Sequence, residues 1–175
     1  RRGGELEASG IADLQDVGGV YNRTAVTGLS GRVRVSLENS QVAASFRDLA
    51  VGEINAGIPV SSVRFSADYN APMTELLAGT LEVQQARARF LEGTLRVPPA
   101  VYELAGGSGR IPVEVEDISL SRLMAVYPAE GLSGSGQLRG RIPLGIRGDG
   151  VQVSAGTVSA IDPGCRLQLP ADKLQ

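Results

Sequence analysis

The sequence predicts a mainly β protein of antiparallel strands with one short helix near residues 120–127. Three observations carry this. Apolar and polar residues alternate with period two along most of the chain, and in a strand that puts them on opposite faces. The alternating stretches are separated by turn formers, drawn from 23 Gly and 9 Pro in 175 residues. Only one stretch has helical spacing.

Taken in order, "GRVRVSLEN" (31–39) sets Val33, Val35 and Leu37 against Arg32, Arg34, Ser36 and Glu38. "SVRFSADYN" (62–70) groups Val63, Phe65, Ala67 and Tyr69. "TLEVQQARARF" (80–90) alternates Leu81 and Val83, slips at Gln84-Gln85, and resumes at Ala86, Ala88 and Phe90, which reads as a β-bulge. "GTLRVPP" (93–99) and "RIPVEVEDISL" (110–120) contribute Leu95, Val97, Ile111, Val113 and Val115. "SLSRLMAVYPAEG" (119–131) spaces Leu120, Leu123, Met124 and Tyr127 as a helix, with Ser119 or Ser121 to cap it and Pro128 to stop it. "QLRGRIPLGIRG" (137–148) puts Leu138, Ile142, Leu144 and Ile146 on one face and arginines on the other. Asp149-Gly150 is a hairpin turn into "GVQVSAGTVSAI" (150–161), with Val151 and Val153. Strands of about five to nine residues are expected. "AGTLEV", "EGTLRVPP", "GSGRIPVEV" and "SGQLRGRIPLGI" are loosely alike, which suggests similar hairpins stacked in an elongated sheet.

Composition narrows the chemistry. The formal net charge is −2 and the arginines are spread along strands, which argues against a nucleic-acid face. There is no His, the commonest general base and metal ligand. The carboxylates Asp48, Glu53, Glu114, Glu116 and Asp117 read as a solvated strand face, and "DLQD" (13–16) lacks the pattern of a calcium loop. No metal and no cofactor is expected. Ser133 and Ser135 sit between glycines in "GLSGSG", but a strand follows and no His exists to serve a nucleophile. The lone Cys165 reads as structural. No catalytic residue is expected, so the chain is read as no enzyme. No apolar run reaches the roughly 18 residues of a membrane-spanning helix. The opening "RRGGELEASG" and closing "LQLPADKLQ" read as the edges of one segment, 1–175, of something larger.

What remains is the apolar face. Parity assigns to it Val33, Val35, Leu37, Val63, Phe65, Leu81, Val83, Leu95, Val97, Val113, Val115, Leu138, Ile142, Leu144, Ile146, Val151 and Val153. Three covers are compatible with the pattern. Two sheets could close on each other as a sandwich with a dry core. One long curved sheet could offer a groove to an elongated apolar ligand. An outer-membrane barrel also alternates, though short strands without aromatic girdles speak against it. Aromatics at 4% and abundant glycine tilt toward the groove.

Four stretches carry a resemblance. They are "VGGVYNRTAVTGLSGRV" (17–33), "RDLAVGEINAGIPVSSVRFSADY" (47–69), "VQQARARFLEGTLRVPP" (83–99) and "VEDISLSRLMAVYPAEGLSGSGQLRGRIPLGIRGDGVQVSAGTVSA" (115–160). Their order and spacing resemble the YdbH family, which is AsmA-like and related in architecture to TamB. The resemblance implies an elongated, curved, taco-like β-sheet in the periplasm, anchored in the inner membrane by a part outside this segment and reaching toward the outer membrane. Its groove would carry phospholipid, with an outer-membrane lipoprotein as partner. This chain would be a piece of the C-terminal half. The resemblance carries over no catalytic residue.

Overall fold

The computed structural model describes residues 7–21, 23–104, 109–128, 133–147, 150–153, 155–161 and 164–168. A meander of long strands comes first: β1 (Ala8–Tyr21), β2 (Thr24–Glu38), β3 (Gln41–Asn55), β4 (Pro59–Pro72) and β5 (Thr80–Phe90). Then come β6 (Gly93–Val97), β7 (Ala100–Glu103), β8 (Arg110–Ser119), α1 (Leu120–Val126), β9 (Ser133–Ser135), β10 (Gln137–Arg147), β11 (Gly150–Val153), β12 (Thr157–Ala160) and β13 (Arg166–Gln168). Eleven strands form one open sheet in the order β1-β2-β3-β4-β5-β6-β8-β10-β11, with β7 on β5 and β12 on β10. β9 and β13 pair separately. Every pairing is antiparallel. β6 and β7 act as one interrupted strand on β5, broken at Pro98-Pro99, which have no N–H for a ladder.

The long strands correct the expectation of five to nine residues: β1 to β4 run 14 or 15. Bulges explain the difference. Asp16, Asp48 and Asp117 adopt φ of 50°, 51° and 56°. At each, one strand holds an extra residue against its neighbour, between Leu14 and Val17, Phe46 and Leu49, and Val115 and Ile118. Without a bulge, residues three apart point to opposite faces. The extra residue keeps both apolar side chains on one face. Aspartate is among the few residues that tolerate this left-handed conformation. The backbone N–H of Asp16 donates to Ser30 Oγ at 3.0 Å, and that of Asp48 to Ser66 Oγ at 3.1 Å. Gly31 lies beside the Asp48 bulge because a Cβ there would meet Leu49 Cδ2 at 2.7 Å and Asp48 O at 2.9 Å. The bulge expected at Gln84-Gln85 is present: Ala67 faces Val83 while Phe65 faces Ala86.

Two hairpins have two-residue turns with positive φ at both positions, Asn39-Ser40 and Leu91-Glu92. The first has the chemistry such turns favour. The second does not, and contacts hold it: Ser119 N–H donates to Leu91 O at 3.0 Å, and Glu92 pairs with Arg122 at 2.7 Å. α1 is capped as expected, with Ser119 accepting from the Arg122 N–H at 3.3 Å. β10 and β11 join where the Asp149-Gly150 turn was expected, with Arg147 facing Gly150; Asp149 itself lies outside the described residues.

Among the described residues no second layer covers the sheet. The accessible surface is 11864 Å². A compact monomer of 18.2 kDa would expose about 8,100 Å². Among the described residues no large side chain is fully buried. The described residues therefore do not form a sandwich with a dry core. Nor is any helix among the described residues long and apolar enough to cross a membrane.

Candidate functional site

Cross-strand register carries the apolar face laterally from strand to strand. Val33 faces Phe46, which faces Ala67, which faces Val83. Leu49 faces Phe65, then Ala86, then Val97. Leu95 faces Val115, and Val113 faces Ile142. Phe46 and Phe65 meet on this face with ring centroids 5.8 Å apart at 50°. Each of these rows survives its bulges in phase.

Where β4, β5, β6, β8 and β10 meet, the face forms a concavity of about 460 Å³. That is a ligand-sized volume, within about 300–1,000 Å³. Eight residues chosen from parity line it: Val63, Phe65, Leu95, Val97, Val113, Val115, Ile142 and Leu144. Val60, Ala86, Ala88 and Phe90 also line it, and Arg64, Arg87 and Arg96 border it. Val60 breaks the alternation because Ser62, at φ 52°, bulges between it and Val63. An apolar pair three apart inside an alternating run was the signal for it. Val33, Val35, Leu37, Leu81, Val83 and Leu138 lie on the same face, opposite Phe46, Ala44, Val42, Tyr69, Ala67 and Ile118, but outside this concavity. Ile146, Val151 and Val153 pair as backbone only, since their side chains lie outside the described residues.

The concavity exposes almost no polar surface, although Arg64, Arg87 and Arg96 border it. Its walls are aliphatic, with Phe65 and Phe90 as aromatics. The two phenols farther along the face are tied back: Tyr69 donates to Leu76 O, and Tyr102 to Pro98 O at 2.6 Å. Burial holds both phenols above their ordinary pKa.

The opposite face is ionic. Arg32 pairs with Asp13 at 2.6 Å, and Arg47 grips Asp68 with two bonds of 2.7 and 2.8 Å. Glu114 bridges Arg96 at 2.6 Å and Arg141 at 3.1 Å. Hydrogen bonds from Arg47, with further help from Ser45 and Gln84, hold Asp68 below the usual carboxylate range. Arg96 first, then Arg141, does the same for Glu114. These pairs are exposed, so each is worth little alone. Their role is to make the second face a wet one. Ser133, Ser135 and Cys165 lie outside the concavity, in the segment around β9 and β13.

A one-layer sheet with a dry aliphatic face and an ionic face is suited to holding hydrocarbon. Comparison with curated proteins and with solved structures returns no match. The profile of one family, described as the intermembrane phospholipid transport protein YdbH, matches residues 2–174. Matched over essentially its whole length, the chain belongs to the YdbH-like family of intermembrane phospholipid transport proteins.

Proposed function

We propose that the apolar concavity and the rows leading from it hold the acyl chains of a phospholipid on its way between the two membranes. The single observation carrying this reading is the uncovered aliphatic face, continuous in register from β4 to β10. Moving a 16-carbon chain through water costs on the order of 10 kcal/mol, at roughly 0.8 kcal/mol per CH₂. A surface of Val, Leu and Ile removes most of that cost. It also sets no hydrogen bonds that would stop a chain at one place. On this reading the chain is a segment of a periplasmic bridge whose anchor lies elsewhere in the inner membrane and whose far end meets an outer-membrane lipoprotein. It performs no catalysis.

A photo-crosslinking residue tests it. Placed at Val97, on the apolar face, it captures phospholipid in cells, while the same residue at Arg34, on the other face and away from the concavity, captures none. Leu144→Asp leaves the fold intact, because this half-buried face can hydrate the charge, and it abolishes both lipid capture and copurified phospholipid in native mass spectrometry. A structural or adhesive sheet without ligand would give equal, background capture at both positions.

A further inference from the structure

The ionic face is charge-matched in one place and not in another. Across β1 to β4, Arg32 and Arg47 face each other, and each has its own aspartate, Asp13 and Asp68. Across β4 to β10 the register runs Arg64 to Arg87 to Arg96 to Glu114 to Arg141. Four guanidiniums share one carboxylate, and Glu114 is already engaged by Arg96 and Arg141. Arg64 and Arg87 have no hydrogen-bonding or ionic partner among the described residues. Like charges directly opposed across strands are unfavourable. Nothing in the packing requires them, since both are exposed.

Three further features converge there. Arg89, next along the same face of β5, donates to Glu92 O at 3.3 Å. Ser62 is held at φ 52° in its bulge, a conformation that costs a serine energy and re-aims its side chain. Together Ser62, Arg64, Arg87, Arg89 and Thr94 line a concavity of about 450 Å³.

We propose that this concavity binds a phosphate group. Guanidiniums present forked pairs of N–H donors that match phosphate oxygens, and the Ser62 and Thr94 hydroxyls add neutral donors. Two unpaired cations match a phosphate's two charges, and the several donors match its several acceptor oxygens better than those of a single carboxylate. By alternation these side chains leave the face of the hydrocarbon groove, although Arg64 and Arg87 also border that groove. Two sources present the same group: a phosphorylated solute and the headgroups of a bilayer surface. The inference stands on charge and register, and does not depend on the lipid reading of the other face.

Full-length protein is titrated with inorganic phosphate, followed by the Arg side-chain NMR resonances, and separately with vesicles of phosphatidylglycerol or of phosphatidylcholine. Saturable binding of phosphate, weakened at least tenfold in Arg64→Gln/Arg87→Gln and unchanged in the ion-paired control Arg32→Gln, supports the site and the solute source. Binding only to phosphatidylglycerol vesicles, lost in the same double variant, supports the site and the headgroup source. Absence of both, or binding indifferent to the double substitution, overturns it. The melting temperature separates binding from architecture. Removing two opposed cations leaves it unchanged or raises it, whereas a drop shows that the arginines serve the fold and refutes the site. Ser62→Gly, which suits the backbone but removes the hydroxyl, weakens phosphate binding in a protein at least as stable.

Discussion

Strands β1 to β4 and strands β5 to β10 use the same alternation and reach different ends. In the first group the edge strand β1 leaves Val17 43% exposed, and on β2 Val35 is 44% exposed. In the second group Val113 and Val115 are 8% and 5% exposed. All four are valines on the apolar side of the same sheet. The difference lies in their surroundings: Val113 and Val115 have strands on both sides and a concavity over them, while Val17 has a neighbour on one side only. In a one-layer sheet, burial comes from lateral neighbours and curvature, not from an opposing layer. The ionic faces differ in parallel, balanced over β1 to β4 and cationic over β4 to β10.

The largest test of this contrast slips one strand by a residue. Deleting Ala50, outside the bulge, turns Val51 to the ionic face and destabilises the chain by several kcal/mol, because a one-residue slip inverts all that follows. Asp48→Gly suits φ 51° and changes stability by less than about 1 kcal/mol. Urea midpoints of both variants check the pair. Next, Val113→Asp places a charge where water is scarce and costs about 3 kcal/mol, whereas Val35→Asp, 44% exposed, costs under about 1 kcal/mol. Equal losses would refute the division of the sheet into a covered and an open part.

Acidification is a smaller effect. Asp68 and Glu114 both have folded pKa values lowered below the ordinary carboxylate range, by Arg47 and by Arg96 respectively. Their contribution is therefore present above the unfolded pKa of about 4 and is lost as pH falls through the lower folded values. The urea midpoint falls between neutral pH and about pH 3, and Asp68→Asn flattens part of that fall. Smallest are the local turns. Leu91→Asn eases positive φ in the second hairpin and stabilises by about 0.5 kcal/mol, while Ser119→Ala removes the cap of α1 and costs about 1 kcal/mol or less. Thermal melts read both.

Period two in the sequence was enough to place most of the apolar face, because side-chain direction in a strand depends only on parity. It located the seven-residue helix and its Ser119 cap for a similarly local reason. It read β1, the first half of β2 and β3 poorly. There the chain keeps pairing through Asp16, Gly28 and Asp48, yet the broken period looks like the end of a strand. The pairs Leu14/Val17, Phe46/Leu49, Val60/Val63 and Val115/Ile118 were the legible trace of those bulges. The Leu91-Glu92 turn left no trace, since its positive φ values are held by Ser119 and Arg122, residues 27 or more positions away in the chain.

By itself, then, the sequence determined strand content, the alternation of faces, the helix and the family. Those follow from local sterics, from side-chain polarity and from the order of motifs along the chain. Only the tertiary structure decided that a single open sheet forms rather than two closed on each other, that Val63, Phe65, Val97, Val113 and Leu144 share one hollow, and that Arg64 and Arg87 stand face to face without a carboxylate. Each depends on register between strands far apart in sequence, and register is set by bulges and curvature that parity cannot express.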